Sequence, residues 1–268
     1  MFTQSTSLII PTKNRPIELI KLLEQIKNFQ IVFEEILIID SSELNNATKI
    51  QNYCIKNNIR YFHGKPSTSY QRNFGLSKIK KNEYVMFMDD DVIFFEDTFV
   101  NIDKCIKFNQ KNLNIAGFGF NQIDENRISL FDKLKKNNFF KYLDIYPSTP
   151  GKVSKSGWHS KILNLNEDVI ADWVFTTICV FKRNEIMNFR FDETFGQYSY
   201  LEDLDFSLNL MQLKKKIYIS AKSKFMHPKN IDRSGFKFGI IEVLNRYKIV
   251  KKFKLSKSLF FKGVILRF

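Results

Sequence analysis

The chain has 268 residues, 44% hydrophobic and 26% charged, the balance of a globular protein long enough for one large α/β domain or two small ones. Its net charge of +14 and its 15% aromatic content raise nucleic-acid binding as a class, but no RNA- or DNA-binding motif is present and an acidic triad in mid-chain would repel a phosphate backbone. Cys54, Cys105 and Cys179 lie far apart without Cys-x-x-Cys spacing, which speaks against a disulfide framework or a zinc knuckle and for a reducing, cytoplasmic compartment.

In chain order, the apolar stretch at Ser7 to Ile10 predicts a first strand, too short for a signal-peptide core. Pro16 then suits the opening turn of a helix whose Ile17, Ile20, Leu23 and Ile26 recur on one face. Further strands are expected at Glu35 to Ile39, Arg60 to Phe62, Tyr84 to Met88 and Ile115 to Phe120, alternating with helical patterns. That alternation is the signature of an α/β fold with a mostly parallel sheet covered by helices. Thr68-x-x-Gln71 fits a capping box, so Gln71, Arg72 and Asn73 would lie in the first turn of a helix, an end that favours anions. Arg127 to Trp158 mixes Lys, Asn, Pro and Gly and reads as an irregular excursion over one face. Order returns at Val169 to Phe181, a helix starts near Glu202, and a strand at Lys216 to Ser220 leads into Phe225-Met226-His227-Pro228. No run approaches the roughly 20 apolar residues of a membrane span.

Asp89-Asp90-Asp91 follows the buried strand Tyr84 to Met88 directly, which places three carboxylates where open α/β sheets collect their ligands. Their mutual repulsion is relieved most simply by a hard divalent cation that takes phosphates as its other ligands.

Four segments, read in order, resemble the inverting family-2 glycosyltransferases, which have the GT-A fold and use nucleotide-sugar donors. Ser7-Leu8-Ile9-Ile10-Pro11-Thr12-Lys13-Asn14-Arg15-Pro16 is similar to the family's first nucleotide-binding loop, and Ile36-Leu37-Ile38-Ile39-Asp40 to its second strand, whose terminal Asp recognises the base. Gln71-Arg72-Asn73-x-Gly75-Leu76 with Phe87-Met88-Asp89-Asp90-Asp91 looks like the helix and Asp-x-Asp-type motif that hold diphosphate and metal. Phe191-Asp192-Glu193-Thr194-Phe195 with Glu202-Asp203-Leu204-Asp205 resembles the segment that ends in the catalytic Glu-Asp pair.

The resemblance implies a metal-dependent, inverting transfer of one sugar to a hydroxyl of a glycan or lipid-linked acceptor. Asp203 would be the general base and Glu202 would orient acceptor or base. Pro11, Thr12, Asn14, Arg15, Asp40, Arg72, Asp89, Asp90 and Trp173 would form the nucleotide-sugar site, Trp173 also offering a floor for the acceptor. Asp91 and His227 would ligate Mn2+ or Mg2+, the imidazole tilting the preference toward manganese.

Three departures from the family pattern stand out. Ser41-Ser42 follows Asp40 where the family commonly has Asp-Gly, Phe175-Thr176-Thr177 replaces small glycines after Trp173, and Asn209 stands where an Arg is frequent. The Gln-x-x-Arg-Trp segment of processive synthases is absent, which favours single addition. A metal-dependent nucleotidyltransferase, or an inactive sugar-nucleotide-binding relative, is the alternative.

The expected organisation is a GT-A domain over 1–228 and a basic, aromatic-rich helical tail over 229–268. The tail carries eleven Lys or Arg against Asp232 and Glu242, a balance of +9. Basic residues interleaved with Phe, Ile and Leu suit an interfacial helix on anionic lipid, which would put the enzyme peripherally on the inner face of the plasma membrane. Packing of those aromatics onto the transferase domain is the competing expectation.

Overall fold

A computed structural model describes residues 1–124, 145–196, 199–228 and 235–267. The first half forms the expected parallel sheet: β1 (Thr6–Thr12) lies between β2 (Glu35–Asp40) and β4 (Tyr84–Met88), and β3 (Arg60–His63) pairs with β2. All seven residues of β1 are buried, because helices cover both faces of the sheet. Alternation along β1 sends Leu8 and Ile10 into one apolar layer with Leu19, Leu22, Ile38 and Met86. Ile9 goes into the other layer, with Leu76, Phe87, Phe181 and Leu204.

Helix α1 (Pro16–Asn28) begins at the expected Pro16, but its buried stripe is Leu19, Leu22, Leu23 and Ile26, and Ile17 is exposed. Two overlapping helical stripes exist in this segment, and the sheet selects the one that is leucine-rich over two adjacent turns. Helix α2 (Leu44–Lys56) follows β2, and α3 (Thr68–Lys78) precedes β4. The N-cap of α3 is Ser67, whose hydroxyl accepts from Tyr70 N, and not Thr68 as the capping-box reading expects. Gln71 is thereby released from capping; its Nε2 donates instead to the carbonyls of Thr12 and Ile39, tying α3 to the ends of β1 and β2.

Past β4 the sheet changes sense. β8 (Ile178–Lys182) inserts antiparallel between β4 and β6 (Ile115–Gln122), and β9 (Lys216–Met226) pairs parallel with β6. Two short strands, β5 (Ile93–Phe94) and β7 (Val169–Ala171), add to different stretches of β9. β9 runs six residues past the expected end at Ser220. It does so through a bulge: Phe120 pairs with Ser220, but the next residue, Asn121, pairs with Lys224. This continuation delivers His227 to the edge where β1 and β4 end.

Helix α4 (Thr98–Asn109) covers the sheet through Phe99, Ile102 and Ile106, and a one-turn helix α5 (Arg183–Ile186) follows β8. Helix α6 (Glu202–Gln212) buries Leu204, Phe206, Leu208 and Leu210.

The basic tail forms α7 (Phe236–Lys252) and α8 (Lys257–Arg267). Both helices pack on the domain: Ile249 and Phe253 belong to the same core as Leu204 and Phe206, and Leu259 and Val264 rest on Ile145, Tyr146 and Trp158. Gly263 permits that approach, since a Cβ there would lie 2.3 Å from Trp158 Nε1. The expected boundary after residue 228 abuts residues 229–234, outside the described set, as is most of the excursion from Arg127.

Candidate active site

The parallel register fixes where the chemistry collects. Thr12 pairs with Asp40, and β4 ends at Met88, so the loops after β1, β2 and β4 emerge at one edge of the sheet. There the guanidinium of Arg15 bridges two carboxylates of the acidic triad, Nη1 lying 2.7 Å from Asp90 Oδ1 and Nη2 2.7 Å from Asp91 Oδ2. Thr12 Oγ1 donates to Asp90 Oδ2 at 2.7 Å, and His227 Nε2 lies 2.8 Å from Asp91 Oδ1. The two neighbouring carboxyls diverge in acidity. Burial pushes Asp90 up to about 7 against the pull of Arg15 and Thr12. Burial also acts on Asp91, but its contacts with His227 and Arg15 outweigh it and hold the group at about 2. One ionised carboxylate and one imidazole therefore stand side by side.

A second cluster joins the triad to α6. Arg72, 2% exposed, ion-pairs with Glu202 through Nη1 and with Asp89 Oδ1 through Nη2 at 2.9 Å. Thr176 Oγ1 donates to Glu202 Oε1 at 3.0 Å. Burial raises the Glu202 pKa, with Arg72 and Thr176 opposing. Burial alone would lower the Arg72 pKa, but Glu202 and Asp89 raise it, so the cation is kept. The turn before α6 is strained: Ser199 and Leu201 have φ of 48° and 74°, and the left-handed region is costly for a branched aliphatic residue. This turn presents Glu202 inward and Asp203 beside it.

A cavity of about 760 Å³ unites these groups. Of the expected site residues, Pro11, Thr12, Arg15, Arg72, Asp89, Asp90, Asp91, Trp173, Glu202, Asp203 and His227 all line it. Asn14 and Asp40 do not. Asp40 is fully buried, accepting from Ser42 N at 2.8 Å and from the Tyr61 hydroxyl at 2.9 Å. Asn14, at φ 56°, donates its backbone N–H to Ser42 Oγ at 2.6 Å and accepts from Glu43 N. Ser42, the departure from the family's Asp-Gly, thus braces both residues behind the loop that carries Arg15.

Sequence reasoning missed several lining residues, among them Gln122, His159, Lys161, Thr176 and Tyr200. His159 and Lys161 lie just past the segment read as irregular, Arg127 to Trp158; one of only three histidines set directly after a Trp was the available signal. His159 packs on Trp173 with ring centroids 4.3 Å apart, Trp173 on Phe175 at 4.7 Å, and Trp173 Nε1 donates to Ser160 O at 3.0 Å. These residues make an aromatic wall beside the acidic cluster.

Among the described residues no group of three or more His, Cys, Asp or Glu forms a complete metal cage. The donor set of Asp91 and His227 nonetheless fits a divalent cation that takes its remaining ligands from phosphate oxygens and water.

The curled α/β sheet with an acid-lined cavity at its strand ends is the fold of the GT-A glycosyltransferases. Three solved structures share it: a mannosyltransferase from Pyrobaculum calidifontis in complex with GDP-Man and Mn2+ (TM-score 0.59, 14% identity, 92% of this chain and 63% of that one); GalNAc-T7 with UDP, GalNAc and Mn2+ (0.62, 14%, 92% and 47%); and S. aureus TarS 1-349 (0.56, 15%, 97% and 69%). The chain belongs to glycosyl transferase family 2, whose profile matches residues 7–161, more than half of the sequence. An uncharacterized glycosyltransferase of Rickettsia felis is 36% identical over 113 residues, and one of Rickettsia bellii is 29% identical over 122 residues. Those stretches cover 40% and 44% of this chain but only 17% of either relative.

Proposed function

We propose that this chain moves one sugar from a nucleotide-sugar donor to a hydroxyl of a glycan or lipid-linked acceptor, with inversion and without processive elongation. The observation that carries the reading is that Asp203, far from the triad in sequence, lines the same cavity as Asp89, Asp90, Asp91 and His227. In the step, the acceptor O–H gives its proton to the Asp203 carboxylate while its oxygen bonds to the anomeric carbon. The bond from that carbon to the diphosphate breaks, and the diphosphate leaves with the electron pair. Attack opposite the leaving group inverts the centre.

Asp91 and His227 would hold a divalent cation, whose charge stabilises the departing diphosphate; two of the fold neighbours were crystallised with Mn2+. Arg15 is placed to exchange its carboxylate partners for donor phosphate, while Pro11 and Thr12 border the nucleotide. Asn14 and Asp40 act from behind, by fixing the loop that carries Arg15. Arg72 locks Glu202 and Asp89 together and so orients the base rather than meeting solvent. Trp173, 1% exposed and packed between His159 and Phe175, backs the cavity wall from the core and does not offer its ring face to a sugar.

The outward faces of α7 and α8 support peripheral attachment to anionic membrane at the cytoplasmic face. Phe236, Ile240, Leu244, Phe261 and Ile265 are exposed there beside Lys237, Lys248, Lys251, Lys257 and Lys262. Glu242, the one acid of the two helices, is buried on the inner side. No helix among the described residues is long and apolar enough to cross a membrane.

The test is Asp203→Asn, assayed by nucleoside diphosphate release and sugar transfer. Loss of basicity with retained shape lowers transfer by on the order of 10²- to 10⁴-fold and leaves nucleotide binding near wild type. Full transfer by the variant, or pyrophosphate as product, contradicts the assignment.

A further inference from the structure

Helix α7 is tied to the segments around the cavity through polar side chains. Asn245 Nδ2 donates to the carbonyl of Tyr200 at 3.0 Å, Arg246 Nη1 donates to the carbonyl of Gly157 at 2.7 Å, and Lys252 Nζ lies 2.6 Å from Asp205 Oδ2 in α6. Arg246 is the centre of this set. It is 1% exposed, its Nη2 lies 3.0 Å from Glu242 Oε1, and its guanidinium sits 4.2 Å from the centroid of the Trp158 ring. The same Nη1 lies 3.2 Å from Nδ1 of His159, a residue of the cavity wall. Gly157 makes the approach possible: its φ is 79°, and a Cβ there would lie 2.7 Å from Val250 Cγ2 of α7.

The chemistry of this contact is one-sided. A guanidinium carries five N–H donors, has no acceptor and stays protonated, so it can bond to Nδ1 only through a lone pair on that nitrogen. An imidazolium and the Nδ1–H tautomer both present a hydrogen there and are excluded by repulsion. The ring proton must then reside on Nε2. Burial strengthens the constraint, because Arg246 is fixed from three other sides by Glu242, Gly157 and Trp158 and cannot swing away. The His159 ring is held as well, by its packing on Trp173.

We propose that Arg246 is a positioning residue that holds the cavity histidine His159 as a neutral Nε2–H donor. A donor of fixed tautomer on the wall formed with Trp173 suits an oxygen acceptor, the hydroxyl or phosphate of an incoming acceptor substrate. The tail helix is then a working part of the site. The naming of the acceptor rests on the glycosyl-transfer reading; the tautomer does not.

The test is long-range proton–nitrogen NMR of the 15N-labelled full chain at neutral pH, without substrate. Only His63, His159 and His227 contribute, and the spectrum of His159→Gln identifies the signals of His159. The expected pattern has a pyridine-like Nδ1, coupled to Hε1 alone, and a pyrrole-like Nε2. Arg246→Met, similar in bulk but without donors, should shift both nitrogens toward a mixture of tautomers, and Arg246→Lys, a donor-only cation, should keep Nδ1 closer to its wild-type shift. A pyrrole-like Nδ1 in the wild type, or an unchanged pattern in folded Arg246→Met, overturns the proposal. Should Arg246→Met fail to fold, the wild-type spectrum and Arg246→Lys still decide. Because no substrate is present, failure of the sugar-transfer reading would leave this result standing.

Discussion

Replacing Arg72 with Met removes the cation that bridges β4 and α6 while keeping most of its length. The side chains of its partners differ in exposure, Glu202 at 10% and Asp89 at 27%. Asp89 can recover hydration, so its loss is worth no more than about 1 kcal/mol. Glu202 cannot, and breaking a buried pair by removing one partner costs about 3–5 kcal/mol. The retained bond from Thr176 places the expected loss near the lower end, about 3 kcal/mol, or roughly 6–12 °C in Tm for a chain of this size. Urea denaturation measures it. Arg72→Met/Glu202→Gln, which removes the stranded charge, should recover about 2 kcal/mol of the deficit.

The pH dependence has a defined sign. Burial already raises the Glu202 pKa in the folded protein, and loss of Arg72 raises it further, so the native variant binds more protons than the unfolded chain. The deficit is therefore small below the unfolded carboxyl value of about 4.3 and grows as pH rises through the folded value. A loss under about 1 kcal/mol, or a deficit that shrinks as pH rises, refutes the bridging role.

Two further outcomes follow from the tail. Ile249→Ala, at a position with no exposure in the shared core, should cost about 2–5 kcal/mol in a single cooperative transition; a loss of tail helicity with the domain's transition unmoved would show that α7 folds apart from it. Flotation with phosphatidylglycerol vesicles should recover the full chain at low salt. Binding should weaken as salt rises, and Leu244→Ser/Phe261→Ser/Ile265→Ser should lose it while Tm stays near wild type. Equal binding to neutral phosphatidylcholine vesicles contradicts the electrostatic part.

Much of this arrangement is legible in the sequence because strong local signals coincide with it. Tyr84 to Met88 is an uninterrupted apolar run, and the acids that follow must emerge at a strand end. Asp203 falls in the first turn of a helix, and the parallel register then brings helix and strand ends together. The misreadings arise where local patterns are degenerate. Ile17 and Leu19 both head helical stripes, and only the sheet decides between them. Thr68-x-x-Gln71 matches a capping box, but Gln71 gains more by satisfying the buried carbonyls of Thr12 and Ile39. Arg72 reads as a helix-end cation for phosphate, whereas its partner Glu202 arrives from a distant segment that spacing does not register. His159 and Arg246 lie 87 residues apart, and no periodicity links a tail helix to a cavity wall. Of the two expectations for the tail, packing on the domain is what the structure shows, and the basic, apolar face that α7 leaves exposed keeps the membrane expectation open to test.

The central claim is that Asp91 and His227 complete a cation site with a donor diphosphate in the cavity that also holds Asp203. Calorimetric titration with UDP and with GDP, in Mn2+ and in excess chelator, tests it most directly. At least one nucleotide should bind the wild type in Mn2+, with its affinity falling by on the order of tenfold or more in chelator, and Asp91→Ala should lose that difference. Equal affinity with and without the cation, or an unchanged Mn2+ dependence in Asp91→Ala, would contradict the account.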